Sequence, residues 1–243
     1  SLIWLQNVTS RPYIDMTTDL LSEFGIEIEN NNYKSIYIKS GQAMRHSSLE
    51  IEGDWSNAAI ALTAGAIHGM AEVTGLNPDS LQGDRQILDV LSRSSAVVTD
   101  SGGSIAAGQG LLQPFGFDFA DCPDLFPPLI VLACYCSGES VFTGIERLKF
   151  KESSRVEAMT QELAKMGAQF RKEADRLIIY GGTPLNGADL DSHSDHRVAM
   201  SLIVAALGAR GESIVTGIEC IDKSWPGFLN DFGKLFNNNY KII

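Results

Sequence analysis

The sequence has no hydrophobic segment long enough to cross a membrane. A spanning helix needs roughly 18–20 consecutive apolar residues, whereas the longest apolar run, residues 125–136, contains two prolines. The first six residues lack both a basic flank and a long apolar stretch, so they do not form a secretory signal. We therefore expect no membrane partner. Because the chain opens with Ser1 rather than Met, we also expect it to be a piece of a longer protein.

Basic residues are scarce in this chain. Nineteen Lys and Arg stand against thirty Asp and Glu, which gives a formal net charge of −11. Proteins that bind nucleic acid usually carry a basic excess, because contacts to phosphate supply most of their affinity. We therefore expect no nucleic-acid partner, and any site for an anionic substrate must be a local cluster of cations.

Cysteine is also scarce in this chain. The four cysteines are too few and too scattered for a disulfide framework, and none of them forms a C-x-x-C pair or another spacing typical of metal ligands. This usage is typical of unpaired thiols in a reducing compartment. We expect a cytoplasmic protein.

What the chain does have is a repeat of about seventy residues. With 44% of its 243 residues hydrophobic, it can form a sizeable core in one large or two small domains. One segment type recurs in it: an Asp, a few small or polar residues, an apolar stretch and then Gly, at residues 54–69, 124–138 and 195–208. Asp before such a stretch and Gly after it are helix-capping signals. Because the stretches are apolar on nearly all sides, we predict buried helices.

A second segment type has the same period. Apolar residues at helical spacing predict amphipathic helices, and these fall at residues 11–25, 86–91, 155–167 and 228–236. Paired alternating runs separated by turn residues predict β-hairpins after two of them, at residues 26–39 and 168–180.

The repeating unit is therefore strand, buried helix, strand, amphipathic helix and hairpin. This alternation predicts an α/β (α+β) fold of repeated βαβαββ units. Residues 51–243 have room for two and a half to three units, which we take as one domain. Residues 1–50 carry only the second half of a unit, and we interpret them as the remnant of a preceding domain, with a crossover at residues 41–48.

Three polar clusters coincide with starts of the predicted helices. In the first, Asp124 follows Asp121, Cys122 and Pro123. A carboxylate in this position is most often a plain helix N-cap. The alternative is a general base at the mouth of a cleft, which needs a cation nearby.

In the second cluster, Arg147, Lys149 and Lys151 alternate along the chain before Glu152 and Arg155. Alternation predicts that the three cations share one face of a strand that leads into a helix N-terminus. Such an arrangement suits a phosphate or a carboxylate. The alternative is a solvated basic face on an edge strand.

The third cluster, residues 192–197, opens an otherwise apolar helix. Arg197 lies in its first turn, where the helix dipole opposes a positive charge, so we expect a carboxylate or phosphate to meet it there. Lys223 likewise precedes the last amphipathic helix. Cations thus recur near helix starts in a chain whose net charge is strongly negative.

Together these motifs resemble the enolpyruvyl transferase family, and within it the branch that acts on shikimate 3-phosphate. The resemblance rests on six motifs in the family's order: Ser-Arg-Pro-Tyr at 10–13, Gly-Asp-Trp-Ser at 53–56, Pro-Asp at 123–124, Lys-Glu-Ser-Ser-Arg at 151–155, Asp-His-Arg-Val-Ala-Met at 195–200 and Lys-Ser-Trp-Pro at 223–226. They span nearly the whole chain. Ser154 replaces an Asp that is common in the family.

The resemblance implies a two-domain fold, with three βαβαββ units in each domain and the substrates in the cleft between them. This chain would be the C-terminal portion, without the family's N-terminal substrate-binding motifs. The implied reaction joins the 5-hydroxyl of shikimate 3-phosphate to C2 of phosphoenolpyruvate, protonates C3 and then eliminates phosphate. It requires no metal or redox cofactor.

The resemblance also implies roles for individual residues. Asp124 would accept the hydroxyl proton, Glu152 would shuttle the proton at the methylene carbon, and Lys223 could share the acid role. Shikimate 3-phosphate would be bound by Ser10, Tyr13, Asp124, Arg147 and Lys151. Phosphoenolpyruvate would be bound by Arg155, His196, Arg197 and Lys223.

Two functions remain open at this point: a part of the transferase, or a non-catalytic α/β binding or interaction module that keeps the fold. The presence of the acidic and cationic set favours the transferase. Because half the cleft would be missing, we expect the chain to be inactive by itself.

Overall fold

Helices and strands alternate along the chain in a computed structural model that describes residues 1–45 and 48–236. The helices are α1 (Arg11–Glu23), α2 (Trp55–His68), α3 (Ile87–Arg93), α4 (Phe126–Tyr135), α5 (Arg155–Lys165), α6 (His196–Leu207) and α7 (Phe228–Leu235). The strands are β1 (Leu2–Trp4), β2 (Ile28–Asn31), β3 (Ser35–Ile38), β4 (Met70–Thr74), β5 (Val97–Asp100), β6 (Ser104–Gly108), β7 (Gly116–Asp118), β8 (Glu139–Thr143), β9 (Gln169–Lys172), β10 (Arg176–Tyr180), β11 (Asp189–Asp191) and β12 (Ile214–Thr216). Short 3₁₀ turns lie at Gly83–Gln86, Pro123–Leu125, Glu146–Phe150 and Ile218–Lys223.

The three apolar segments form the central helices α2, α4 and α6, which pack against one another. Most of their residues are buried, as their composition predicts. Asp54 caps α2 by accepting the Ser56 N–H at 2.8 Å, and Asp195 caps α6 by accepting the Arg197 N–H at 3.0 Å. The N-cap interpretation is wrong for Asp124, because a 3₁₀ turn carries this residue ahead of α4 and its side chain caps nothing.

Close packing of α2 on its sheet depends on Gly65. A Cβ at this position would lie 2.4 Å from the carbonyl oxygen of Ala107 and 2.5 Å from the backbone nitrogen of Ala71. Both atoms belong to the sheet β4–β6–β5, so the absence of a side chain sets the distance between helix and sheet.

The central unit reproduces the predicted βαβαββ order as β7, α4, β8, α5, β9 and β10. Its sheet has the order β7–β8–β10–β9, with β7 parallel to β8 and the remaining pairs antiparallel. In the first unit, α2, β4, α3, β5 and β6, the described residues 48–54 form no strand before α2. The Gly53 N–H there donates to the Gly75 carbonyl. The third unit has the parallel pair β11–β12 around α6, followed by α7. The mixed α/β fold is therefore confirmed.

The first forty-five residues form a separate antiparallel sheet, β1–β3–β2, with α1 beside it. This confirms the predicted helix and hairpin. No residue of α1 is buried. The segment touches the rest of the chain next to Asp121, where the Arg11 N–H donates to Oδ1 at 3.1 Å. The predicted crossover at 41–48 includes residues 46–47, which lie outside the described part.

All four cysteines are unpaired: Cys122, Cys134 and Cys136 are buried and Cys220 is partly exposed. In residues 1–45 and 48–236, no helix is both long and apolar enough to cross a bilayer.

Candidate active site

The N-terminal ends of α4, α5 and α6 lie together and bring charged residues from distant parts of the chain into contact. Arg155 is the first residue of α5, Arg197 is the second residue of α6, and Asp124 lies in the 3₁₀ turn that leads into α4. We call the following set the charged wall: Asp124, Lys151, Glu152, Arg155, Asp195, Arg197 and Lys223.

Arg155 is the centre of the charged wall. Its Nη1 donates to Asp124 Oδ1 at 2.5 Å, its Nη2 to Glu152 Oε2 at 2.8 Å, and its Nε to Asp195 Oδ2 at 2.8 Å. The side chain is only 1% exposed. Every nitrogen of the guanidinium thus donates to a carboxylate, which compensates for burying its charge.

Asp124 is surrounded by cations. Besides Arg155, its carboxylate has Lys151 Nζ at 3.1 Å and Arg197 Nη2 at 3.6 Å. Burial acts to raise the pKa of Asp124, but Arg197, Arg155 and Lys151 outweigh it and lower the pKa to about 2. Asp124 is therefore ionised at neutral pH.

Glu152 and Lys223 form the exposed rim of the charged wall. Lys223, at the end of its 3₁₀ turn, places Nζ 3.1 Å from Glu152 Oε1. Burial acts to raise the pKa of Glu152, but hydrogen bonds, including the one from Lys223, and the charge of Arg155 lower it. Both side chains remain accessible, so a ligand could reach this pair directly.

The start of α6 buries Asp195 and His196. Asp195 is inaccessible and accepts hydrogen bonds from Arg155 and, at 3.0 Å, from Ser153 Oγ. His196 places Nδ1 4.0 Å from Asp195 Oδ1, beyond hydrogen-bond distance. Burial, followed by the charge of Arg197, lowers the pKa of His196, so its ring is neutral.

Arg197 meets a carboxylate, as its place in a first helical turn requires, and that carboxylate is Asp124. One donor remains: Arg197 Nη1 is buried and has no hydrogen-bond partner within the described residues. A buried guanidinium N–H without an acceptor is unfavourable, and an anion at this point would satisfy it.

Ser10 and Tyr13 lie where the first forty-five residues meet the charged wall. Ser10 precedes α1 with φ of 55°, and its N–H donates to the Ala120 carbonyl at 2.9 Å. The Tyr13 hydroxyl is buried without a partner in the described chain. Burial, then the charges of Asp84 and Asp124, raise the pKa of Tyr13, so it is a neutral donor beside two carboxylates.

The predicted strand with Arg147, Lys149 and Lys151 on one face is wrong. Residues Glu146–Phe150 form a 3₁₀ turn, because Ile145 and Leu148 are buried three residues apart, which is the period of that helix. Arg147 hydrogen-bonds Thr9 Oγ1 and Lys149 lies over the Phe150 ring, so only Lys151 joins the charged wall.

Asp84 is a buried carboxylate that the sequence did not single out. Ser56 Oγ donates to its Oδ2 at 2.5 Å, while Oδ1 has no partner within the described residues. Burial, then the charge of Asp124, raises the pKa of Asp84 to about 6. The sequence signal for this pair was Ser56 in the Gly-Asp-Trp-Ser motif. Its partner Asp84 lies too far along the chain for the spacing of residues to connect the two.

In residues 1–45 and 48–236, no group of three or more His, Cys, Asp or Glu side chains is arranged to hold a metal ion. The expectation of a reaction without metal or redox cofactor stays a prediction.

Comparison with known proteins gives one consistent family. The sequence profile described as "EPSP synthase (3-phosphoshikimate 1-carboxyvinyltransferase)" matches residues 2–232. The 3-phosphoshikimate 1-carboxyvinyltransferase of Clostridium acetobutylicum is 40% identical over 229 residues, which are 94% of this chain and 53% of that protein. Its counterpart from Clostridium perfringens (strain SM101) is 37% identical over 235 residues, 96% of this chain and 55% of that protein.

Solved structures agree with these relatives. EPSP synthase of Acinetobacter baumannii matches with a TM-score of 0.75 and 25% identity, over 88% of this chain and 53% of that one. The enolpyruvyl transferase NikO of Streptomyces tendae shares the fold, with a TM-score of 0.75 at 18% identity, over 97% of this chain and 55% of that one. The chain spans about half the length of the curated relatives it matches.

Proposed function

The chain belongs to the EPSP synthase family, and on that premise we propose that it is the C-terminal part of a 3-phosphoshikimate 1-carboxyvinyltransferase. The enzyme would transfer the enolpyruvyl group of phosphoenolpyruvate to the 5-hydroxyl of shikimate 3-phosphate and release phosphate. The observation that carries this proposal is the convergence of Lys151, Arg155 and Arg197 on Asp124. Both substrates are anions with phosphate groups, and the charged wall supplies cations beside an ionised carboxylate.

Asp124 is the proposed acceptor of the 5-hydroxyl proton. Its pKa of about 2 belongs to the ligand-free wall, where the surrounding cations stabilise the charge. A carboxylate this acidic is a weak base. When the phosphate and carboxylate groups of the substrates bind these cations, their negative charge raises the pKa of Asp124. Asp124 therefore becomes an effective base only with substrates bound.

Glu152 and Lys223 are the proposed proton carriers at C3 of phosphoenolpyruvate. Lys223 Nζ lies 3.1 Å from Glu152 Oε1, and the proton for C3 comes from Lys223 either directly or through that carboxylate. As the hydroxyl oxygen bonds to C2, C3 gains a proton. When the bond between C2 and the phosphate oxygen breaks, C3 returns a proton to Glu152 and the double bond forms again, so no net proton remains on C3. The departing phosphate takes up the hydroxyl proton from Asp124.

Arg197, with the unpartnered Nη1, is the proposed first contact for phosphoenolpyruvate. Arg155 and Lys223 complete this site, with neutral His196 beside it. Because the nitrogens of Arg155 already donate to carboxylates, Arg155 binds the substrate only by exchanging one of these contacts. Shikimate 3-phosphate would lie against Ser10, Tyr13 and Lys151, with Arg147 at the edge.

We assign residues 1–50 to the end of the preceding domain and residues 51–243 to the C-terminal domain. Trp4 is 74% exposed and its neighbours Leu2 and Ile3 are also exposed, which supports a further half that covers this strand. That half of the same enzyme is the proposed partner. The cytoplasm is the proposed location, since unpaired thiols suit a reducing compartment.

The test is phosphate release from phosphoenolpyruvate in the presence of shikimate 3-phosphate. Protein expressed from the full open reading frame that encodes this chain should turn over, with no phosphate released when either substrate is omitted. Residues 1–243 alone should not turn over. If the protein expressed from the full open reading frame releases no phosphate, that result would contradict the proposed function.

A further inference from the structure

The loop before Asp195 has a strained backbone. His193 and Ser194 have φ angles of 52° and 56°, in the left-handed region that is unfavourable for residues other than glycine. Such a conformation persists only where its surroundings hold it. One support is local: the Ser194 N–H donates to Ser192 Oγ at 3.1 Å, and Ser192 Oγ donates to the Gly217 carbonyl at 2.9 Å.

The second support is Glu162 of α5, whose side chain is 3% exposed. Its carboxylate accepts hydrogen bonds from the Asp191 N–H at 2.9 Å, Lys165 Nζ at 2.6 Å and His193 Nε2 at 3.1 Å. His193 must be the donor, because an ionised carboxylate only accepts. Burial acts to raise the pKa of Glu162, but these contacts lower it, so Glu162 is ionised at neutral pH.

Helix α5 consequently holds the loop at two points. Arg155 and Glu162 are about two helical turns apart and lie on the same side of the helix. Arg155 bonds to Asp195 at 2.8 Å, while Glu162 bonds to residues 191 and 193. The loop cannot slide along α5 without breaking these contacts. Asp195 also accepts the Arg197 N–H, so the loop sets where α6 begins.

We propose that Glu162 is a positioning residue for the charged wall. By holding residues 191–193 against α5, it fixes Asp195, and through Asp195 the guanidinium of Arg155 and the start of α6 that carries Arg197. Glu162 has no contact with Asp124, Glu152 or Lys223, so it acts through the loop rather than on substrate. The inference rests on the proposed function only for the identity of the anion that these arginines bind.

Substitutions of Glu162 separate this role from simple packing. Glu162→Met removes all acceptors at nearly constant volume, whereas Glu162→Gln keeps one acceptor oxygen and is the conservative rescue. Glu157→Gln is the matched control. Glu157 is on the same helix, but its side chain is 60% exposed and its ion pair with Lys172 is long, at 3.8 Å. NMR on this chain reads hydrogen exchange at the Asp191 and Ser194 amides and the Nε–H signal of Arg155.

Glu162→Met should speed exchange at both loop amides at least tenfold and shift the Arg155 Nε–H signal, while amides inside α4 keep their protection. Glu162→Gln should restore most of this protection, and Glu157→Gln should change nothing. Loop exchange within twofold of the unsubstituted chain would overturn the proposal. If Glu162→Met does not fold, His193→Ala removes one contact from a partly exposed side chain and decides by the same criterion.

Kinetics give a separate readout. In protein from the full open reading frame, Glu162→Met should raise KM for phosphoenolpyruvate about tenfold with a smaller change in kcat, and Glu162→Gln should stay within about threefold. Unchanged KM and kcat in Glu162→Met would overturn the positioning role. Absence of turnover in the unsubstituted protein would count against the proposed function alone, because the exchange measurement still decides the role of Glu162.

Discussion

The guanidinium of Arg155 lies 2.8 Å from the carboxylate of Asp195, and the two side chains are 1% and 0% exposed. The pair joins the start of α5 to the start of α6 in the interior of the protein. It also anchors the contacts of Arg155 with Asp124 and Glu152, so a change at Arg155 disturbs three carboxylates at once.

Arg155→Met should destabilise the fold strongly. Removing one partner of a buried ion pair leaves an uncompensated charge, which costs about 3–5 kcal/mol. Urea unfolding at pH 7 measures the change. Arg171→Met is the control: Arg171 is 59% exposed and 3.3 Å from Glu173, and such surface pairs contribute about 0–1 kcal/mol. Equal losses in the two variants would contradict this account of the pair.

Asp84→Asn should stabilise the protein at alkaline pH. The pKa of Asp84 is raised from an ordinary 3.8 to about 6 in the fold, so the folded state binds more protons than the unfolded state between these values. Stability therefore falls as pH rises through that range. Asn keeps the acceptor for Ser56 and has no charge to bury.

Urea unfolding at pH 4 and pH 8 checks this prediction. The gain in Asp84→Asn should reach about 1–3 kcal/mol at pH 8 and vanish near pH 4. Asp79→Asn, on an exposed turn, should leave the pH dependence unchanged. A loss of stability in Asp84→Asn at pH 8 would show that the ionised carboxylate is favourable where it lies.

Gly65→Ala should destabilise the protein although alanine favours helices by about 1 kcal/mol over glycine. The added Cβ would lie within 2.5 Å of two backbone atoms of the sheet, and overpacking of this kind costs about 1–3 kcal/mol or more. Thermal unfolding should show a lower Tm. Gly103→Ala is the control and should change Tm little, because no atom lies near the added Cβ. If Gly65→Ala unfolds at or above the Tm of the unsubstituted chain, the packing argument is contradicted.

Much of the fold follows from local signals. Asp54 and Asp195 precede apolar stretches at a constant period, and both cap helices in the structure. The same period explains why the starts of α4 and α6, and with them Asp124 and Arg197, come together. The hairpin β5–β6 was missed although the turn between its strands contains Gly102 and Gly103.

What local signals could not supply were contacts made by burial. Cations two residues apart at 147, 149 and 151 fit a strand, but burial of Ile145 and Leu148 selected a 3₁₀ turn. Asp84 and Glu162 lie in polar or amphipathic stretches where a surface carboxylate is the ordinary expectation. Their importance depends on partners about thirty residues away, Ser56 and His193, which no spacing rule connects.

We propose that Glu152, paired with Lys223 on the charged wall, carries the proton at C3 of phosphoenolpyruvate. The decisive measurement is kcat for phosphate release by protein from the full open reading frame, with Glu152→Gln compared with Glu157→Gln. Glu152→Gln should lower kcat about 10²–10⁴-fold, whereas Glu157→Gln should stay within twofold. A Glu152→Gln enzyme that keeps kcat within twofold of the unsubstituted protein would contradict the account.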